Sequence, residues 1–251
     1  MKNKIFIYAF FSFAILYFCY RGIIYPALNN NDDFGVYYHT ALKISNFDLD
    51  IYNTKIHTDV FNYPPIFALM LKPIIFFDYQ TSKIIWLVFN IFFYLLSILL
   101  LLKTLNIDNC DMPLYFSLAL LYNPTLETLK WGQINIFILF LIVSGFFLYR
   151  KNHSLLSALS FAVAAVIKLS PAIFILFFLI KKKIKIALWF IVFIALFNII
   201  SIFVFGKQIV IGYYTDLLPA LMHRGMFDNP YNQSFHNLYW RLFKHGHGYS
   251  T

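Results

Sequence analysis

The chain has 251 residues, of which 61% are hydrophobic, 21% aromatic and only 12% charged, with a formal net charge of +9. A soluble domain carries about 25% charged and 45–50% apolar residues, so this composition excludes one. The basic excess does not point to nucleic acid. Lys and Arg fall in short clusters between apolar runs, where membrane topology accounts for them.

Apolar runs recur from end to end, which predicts an all-α polytopic membrane protein. Residues 5–24 form the first span. Lys2 and Lys4 precede it, and the bulky Tyr17-Phe18-Cys19-Tyr20-Arg21 offers no small-residue cleavage site, so an uncleaved span with a cytoplasmic N-terminus is expected. A first outer loop, 25–83, follows. Within it Phe34, Tyr37 or Tyr38, Ala41 and Ile44 or Ser45 lie at helical spacing, predicting an amphipathic helix on the membrane surface from about Asp33 to Lys43. Residues 66–77, opened by Asn62-Tyr63-Pro64-Pro65 and interrupted by Lys72-Pro73, are too few to span and read as a second surface or re-entrant helix.

Further spans are predicted at 84–102, 113–122 and 134–149, with Asn123-Pro124 ending the third and 125–133 a polar connection. Residues 155–180 hold Lys168 centrally. A lysine there is costly in lipid, and Pro171 follows, so two short helices meeting at Leu169-Ser170-Pro171 are expected. A seventh span at 186–205 leads into a polar last outer loop, 206–251. On this layout the inner segments carry nine basic residues against Asp108 and Asp111, and the outer ones ten against nine acids. Cys19 and Cys110 fall on opposite sides, so no bridge is expected. The plasma membrane, with the functional face outside, is the expected location.

This layout gathers four polar groups at the outer face. Asp32 and Asp33 stand side by side in a chain with only eleven acids. Either a helix cap or a working base explains such a pair, and a divalent cation is a third use. Adjacent helical residues do not face one way, which favours one acid capping and one working. Trp131-Gly132-Gln133-Ile134-Asn135 sits at the mouth of a span, where its amides suit a helix cap, sugar hydroxyls or a lipid phosphate. Lys168 at a helix break suits an anionic headgroup, with a snorkelling lysine as the plain alternative. The run Tyr231-Asn232-Gln233-Ser234-Phe235-His236-Asn237, with Arg241 a turn later, is dense in hydrogen-bonding groups.

Several of these pieces resemble the signatures of glycosyltransferase family 87, the polyprenol-phosphate-mannose-dependent mannosyltransferases and relatives of the GT-C superfamily. They are Asp33-Phe34-Gly35-Val36-Tyr37, Asp50-Ile51-Tyr52, Asn62-Tyr63-Pro64-Pro65, Gly132-Gln133-Ile134-Asn135, Ile167-Lys168-Leu169-Ser170-Pro171 and Asn232-Gln233-Ser234, in the same order. The resemblance covers roughly residues 5–241. It implies a single GT-C-type domain of about seven spans, 1–251, with an outward-facing site and an aspartate base from the first outer loop. Carried over, that base is Asp33, with Asp32 the close alternative. Family members continue for several more spans, so a chain truncated at its C-terminus is expected.

The expected activity is inverting transfer of a hexose, mannose first, from a polyprenyl-phosphate donor to a lipid or glycan hydroxyl. Lys168 and Arg241 are expected at the donor phosphate, and Tyr37, Tyr63, Gln133, Asn135, Asn232, Gln233 and His236 at substrate. A monophosphate lipid leaves without an obligatory metal, so no metal or cofactor is expected. A carrier or flippase for lipid-linked sugar, suggested by the broken helix at Lys168, and an inactive remnant are the alternatives.

Overall fold

The computed structural model describes residues 2–28, 33–52 and 61–223, and every regular element among them is helical. Helix α1, Lys2–Phe18, runs through a π-helical turn, Cys19–Ile24, into α2, Tyr25–Leu28. Helix α3 is Phe34–Ser45. Helix α4, Pro65–Met70, ends at Leu71, and Pro73 sits in the 3₁₀ turn that follows, Lys72–Phe76. The longest helix, α5, is Tyr79–Leu105. It begins a turn before the apolar run because Asp78 accepts from the backbone N–H groups of Gln80 and Thr81 at 3.1 and 3.2 Å. It ends at Asn106, whose φ of 54 is left-handed.

Helices α6, Met112–Leu120, and α7, Asn123–Lys130, follow. Then come α8, Asn135–Arg150, and α9, Ser154–Ile167. A 3₁₀ turn, Ser170–Ile173, leads into α10, Phe174–Ile180. Helix α11 is Ile184–Phe205, and α12, Lys207–Gly212, continues through a π-helical turn, Tyr213–Leu217, into α13, Leu218–His223.

Three stretches, Lys4–Leu28, Tyr79–Leu105 and Ile184–Phe205, are long and apolar enough to cross a membrane. Their surfaces carry large apolar side chains all round, such as Leu188, Val192, Ile199 and an 85% exposed Phe203 on α11. Water would not tolerate that belt, and lipid requires it. The protein is an all-α polytopic membrane protein. The other expected crossings are shorter apolar helices, among them Asn135–Arg150, Ser154–Ile167 and Ser170–Ile180.

Three expectations need correction. The polar connection expected at 125–133 is largely helical. Helix α6 has nine residues, about 14 Å of rise, and 123–130 is itself a helix. Helix α6 packs on α1 while α7 packs on the π turn and α2, so the broken pair runs beside the whole first rod. Secondly, 207–223 is helical rather than loop, because Val210 and Tyr213 are buried and Tyr214 donates to Asn198 Oδ1 on α11 at 2.8 Å. Thirdly, α3 does not turn its apolar stripe to the bilayer. Phe34, Tyr37, Ala41 and Ile44 are buried against α4, α5 and the 3₁₀ turn between them.

Helix α8 lies between α5 and α9, and α9 between α8 and α11. Close approach of α8 and α9 relies on small residues, as helices in lipid generally do. Ser157, Ala158 and Ala162 are buried on α9, and Ser157 donates to the Gly145 carbonyl at 2.9 Å.

Candidate functional site

The site is built where three chain breaks meet. The first ends α7. Gly132, with φ of 66, takes the left-handed position after the helix. Its N–H donates to Leu129 O and that of Gln133 to Thr128 O, at 3.2 and 3.0 Å, a complete Schellman motif. This backbone cap closes the preceding helix α7, whereas α8, the span whose mouth the amides were expected to cap, has Ile134 at its N-cap and no side-chain cap. Two further bonds pin the turn. Asp33 N–H donates to Trp131 O and Trp86 Nε1 to Gly132 O, both at 2.7 Å.

The second break begins α3. Asp33 occupies the N-cap position, yet its side chain makes no capping hydrogen bond. Gln133 Nε2 donates to its Oδ2 at 2.7 Å instead. Phe34, fully buried between Tyr79 and Trp86, anchors the start of the helix and so holds the carboxylate in place. The third break lies after α9, where Lys168 is extended, with φ and ψ of −145 and 128, before the 3₁₀ turn at Ser170.

These pieces join through their side chains. Asn135 Nδ2 donates to Gln133 Oε1 at 2.7 Å, and Lys168 Nζ donates to Asn135 Oδ1 at 3.1 Å. A chain of three hydrogen bonds thus links the ammonium of Lys168 to the carboxylate of Asp33. Both charged residues line a cleft of ≈ 450 Å³, together with Asn62, Tyr63, Ser170 and Tyr213.

Beneath the cleft, the Tyr37 and Tyr63 hydroxyls share a hydrogen bond of 2.8 Å, and Ile134 N–H donates to Tyr37 at 3.4 Å. Burial pushes the Tyr37 phenol far above the ordinary tyrosine range, and the neighbouring Tyr63 and Asp33 add to this. Tyr63 is likewise raised, first by burial. Both stay neutral donors at any physiological pH. Lys168 is exposed to the cleft but partly desolvated by its walls, which lowers its pKa, while the charge of Asp33 pulls it back up.

Asp33, Tyr63 and Lys168 therefore face one cavity, with Gln133 and Asn135 as the bridge between the two charges. Tyr37 lines the floor of the same cleft, completely buried, with its hydroxyl engaged by Tyr63 and Ile134. Asp32, Asn232, Gln233, His236 and Arg241 lie outside the described residues. Sequence reasoning missed Tyr213, which stacks on Tyr52 at 5.7 Å in the cleft wall. Ile209, Val210, Tyr213 and Tyr214 lie at helical spacing and were the available signal.

The model of the family described as glycosyltransferase family 87 matches residues 61–250, about three quarters of the chain. The match takes in Tyr63, Gln133, Asn135 and Lys168 and begins after Asp33. No curated protein matches the chain, and no solved structure does.

Proposed function

Because the chain belongs to glycosyltransferase family 87, we propose that its cleft transfers a hexose, mannose first, from a polyprenyl-phosphate donor to a hydroxyl acceptor at the outer membrane face. One observation carries the reading. A carboxylate and an ammonium line the same ≈ 450 Å³ cavity and are joined by a relay of two amides.

The chemistry follows from that polarity. The donor phosphate lies against Lys168, which balances the charge that builds on it as it leaves. The acceptor hydroxyl approaches C1 from the opposite side, beside Asp33. A new C1–O bond forms as the C1–O bond to phosphate breaks, the configuration at C1 inverts, and the hydroxyl proton passes to Asp33. Positioned proton transfer of this kind contributes about 10²–10⁴ in rate. Tyr63, Asn62 and Ser170 offer hydroxyl and amide groups to the sugar. The resemblance adds Arg241 at the phosphate and Asn232, Gln233 and His236 at substrate, with Asp32 the second choice of base.

The test is transfer of labelled mannose from polyprenyl-phosphate mannose in membranes carrying Asp33→Asn. Label should fail to enter product while membrane insertion is unchanged. Near-normal turnover in Asp33→Asn with loss in Asp32→Asn would move the base to its neighbour. Label that merely crosses a vesicle, entering no product, would replace transfer with carriage.

A further inference from the structure

We propose that Gln133 and Asn135 are positioning residues that tie the basicity of Asp33 to occupancy of the phosphate site at Lys168. The inference rests on the transfer reading above and deepens it. Both ends dictate the direction of the chain. A carboxylate only accepts and an ammonium only donates. Both amides therefore point their NH₂ groups toward Asp33 and their carbonyls toward Lys168. Their dipoles line up along the field between the two charges, and bonds in such a chain polarise one another.

With the phosphate site empty, Lys168 stabilises ionised Asp33 and makes it a weaker base. A phosphate against Lys168 cancels that charge, so Asp33 gains proton affinity once the donor is seated. A hydroxyl or water arriving early meets a poor base. The other titratable groups lining the cleft among the described residues are Tyr37 and Tyr63, from α3 and the segment before α4, and Tyr213, from the π turn after α12. Burial raises all three phenols, so they stay neutral and leave the field to Lys168.

The experiment compares acid limbs of the pH profile in detergent-solubilised protein with polyprenyl-phosphate mannose. The kcat/KM limb for donor reports the free enzyme and the kcat limb the donor-bound one. In the wild type the kcat limb should lie higher, by about half a pH unit for charges screened between water and protein interior. Asn135→Ala should collapse the gap, and Gln133→Met, which keeps the volume, serves if Asn135→Ala does not fold. A wild-type gap of zero or opposite sign, or a gap that survives both substitutions, overturns the coupling. Turnover retained in Asp33→Asn would instead remove Asp33 as the base, and label that enters no product would sink the transfer reading itself, so the failures are distinct.

A second inference comes from the opposite end of the bundle. Lys103, Arg150 and Lys151 line a cleft of ≈ 310 Å³ between the C-terminal ends of α5 and α8. No carboxylate lines it, and none of the three cations has an ion pair among the described residues. Last-turn cations answer the helix dipole and follow the positive-inside pattern. That accounts for their charge but not for a cavity between them. Val88, Phe92, Leu95 and Leu99 recur at helical spacing up to Lys103, and all four are exposed, forming one apolar stripe that leads to it.

We infer that this cleft takes the phosphate of an anionic phospholipid, with an acyl chain along the stripe. Purified protein in detergent would be melted with phosphatidylglycerol, phosphatidylcholine or inorganic phosphate. Phosphatidylglycerol alone should raise the Tm by a few degrees. The triple variant Lys103→Gln, Arg150→Gln, Lys151→Gln should lose that response while keeping glycosyl transfer, with Lys103→Gln read alone if the triple variant misfolds. An equal rise with phosphatidylcholine, or with phosphate alone, overturns the lipid assignment, as does an unchanged response in the variants.

Discussion

Gln133 donates to Asp33 at 2.7 Å across a hundred positions of sequence. This bond turns an N-cap aspartate into a cleft-facing acid, because the carboxylate satisfies an amide on another element instead of its own helix. Removing the donor should show directly. Gln133→Leu leaves Asp33 without that partner, and a hydrogen bond to a charged group is worth about 1.5–3 kcal/mol. Transfer should fall roughly ten- to hundredfold. Gln133→Glu should behave differently, since two adjacent carboxylates cannot both ionise easily and the acid limb should move to higher pH. Initial rates against pH for the two variants check both outcomes.

Lys168 sets the alkaline side. Desolvation lowers its pKa, so the ammonium is present below that lowered value and lost as pH rises through it. Donor binding should therefore weaken on an alkaline limb that begins below the ordinary lysine range of about 10.4. The buried tyrosines titrate higher and are not the cause. Lys168→Arg should push the limb out of reach, whereas Lys168→Met should raise the donor KM at every pH. A limb that persists in Lys168→Arg would assign it elsewhere.

The same depression affects stability. Lys168 binds its proton more weakly folded than unfolded, so the folded state is penalised at low pH. The penalty disappears as pH rises through the lowered folded value toward the unfolded one. Lys168→Met should flatten that part of a Tm-against-pH curve recorded in detergent.

Tyr37 supports the floor through two contacts, the Tyr63 hydroxyl at 2.8 Å and the Ile134 N–H at 3.4 Å. Tyr37→Phe leaves both without that partner in a buried place, at a cost of about 1–3 kcal/mol. Thermal unfolding should detect the loss, accompanied by a smaller fall in transfer than Asp33→Asn causes.

Gly145 tests the α8–α9 contact. A Cβ there would meet the Phe161 ring at 2.7 Å. That ring is fully buried and hemmed in by Phe146, Phe174 and Phe178, so it has little room to give. Gly145→Ala should destabilise the protein by about 1–3 kcal/mol through overpacking. Phe161→Leu in the same chain should recover part of it.

The helical, membrane-embedded character was legible from the apolar runs and the scarcity of charge, because lipid admits only backbones that satisfy their own hydrogen bonds. So were the breaks at Lys72-Pro73, at Asn123-Pro124 and between Lys168 and Pro171, since proline acts on its immediate neighbours. Tertiary structure alone decided the rest. Residues 123–130 and 207–223 become helices because Leu126, Leu129, Val210 and Tyr213 bury themselves on distant elements. Helical spacing at Ile209, Val210, Tyr213 and Tyr214 hinted at the second of these, but the partners that bury them lie outside any local window. That Asp33 turns from its own helix to Gln133, and answers Lys168 through two amides, depends on contacts across 33 and 100 positions. Side-chain hydrogen bonds that long carry no periodicity, so only the packed chain could bring them together.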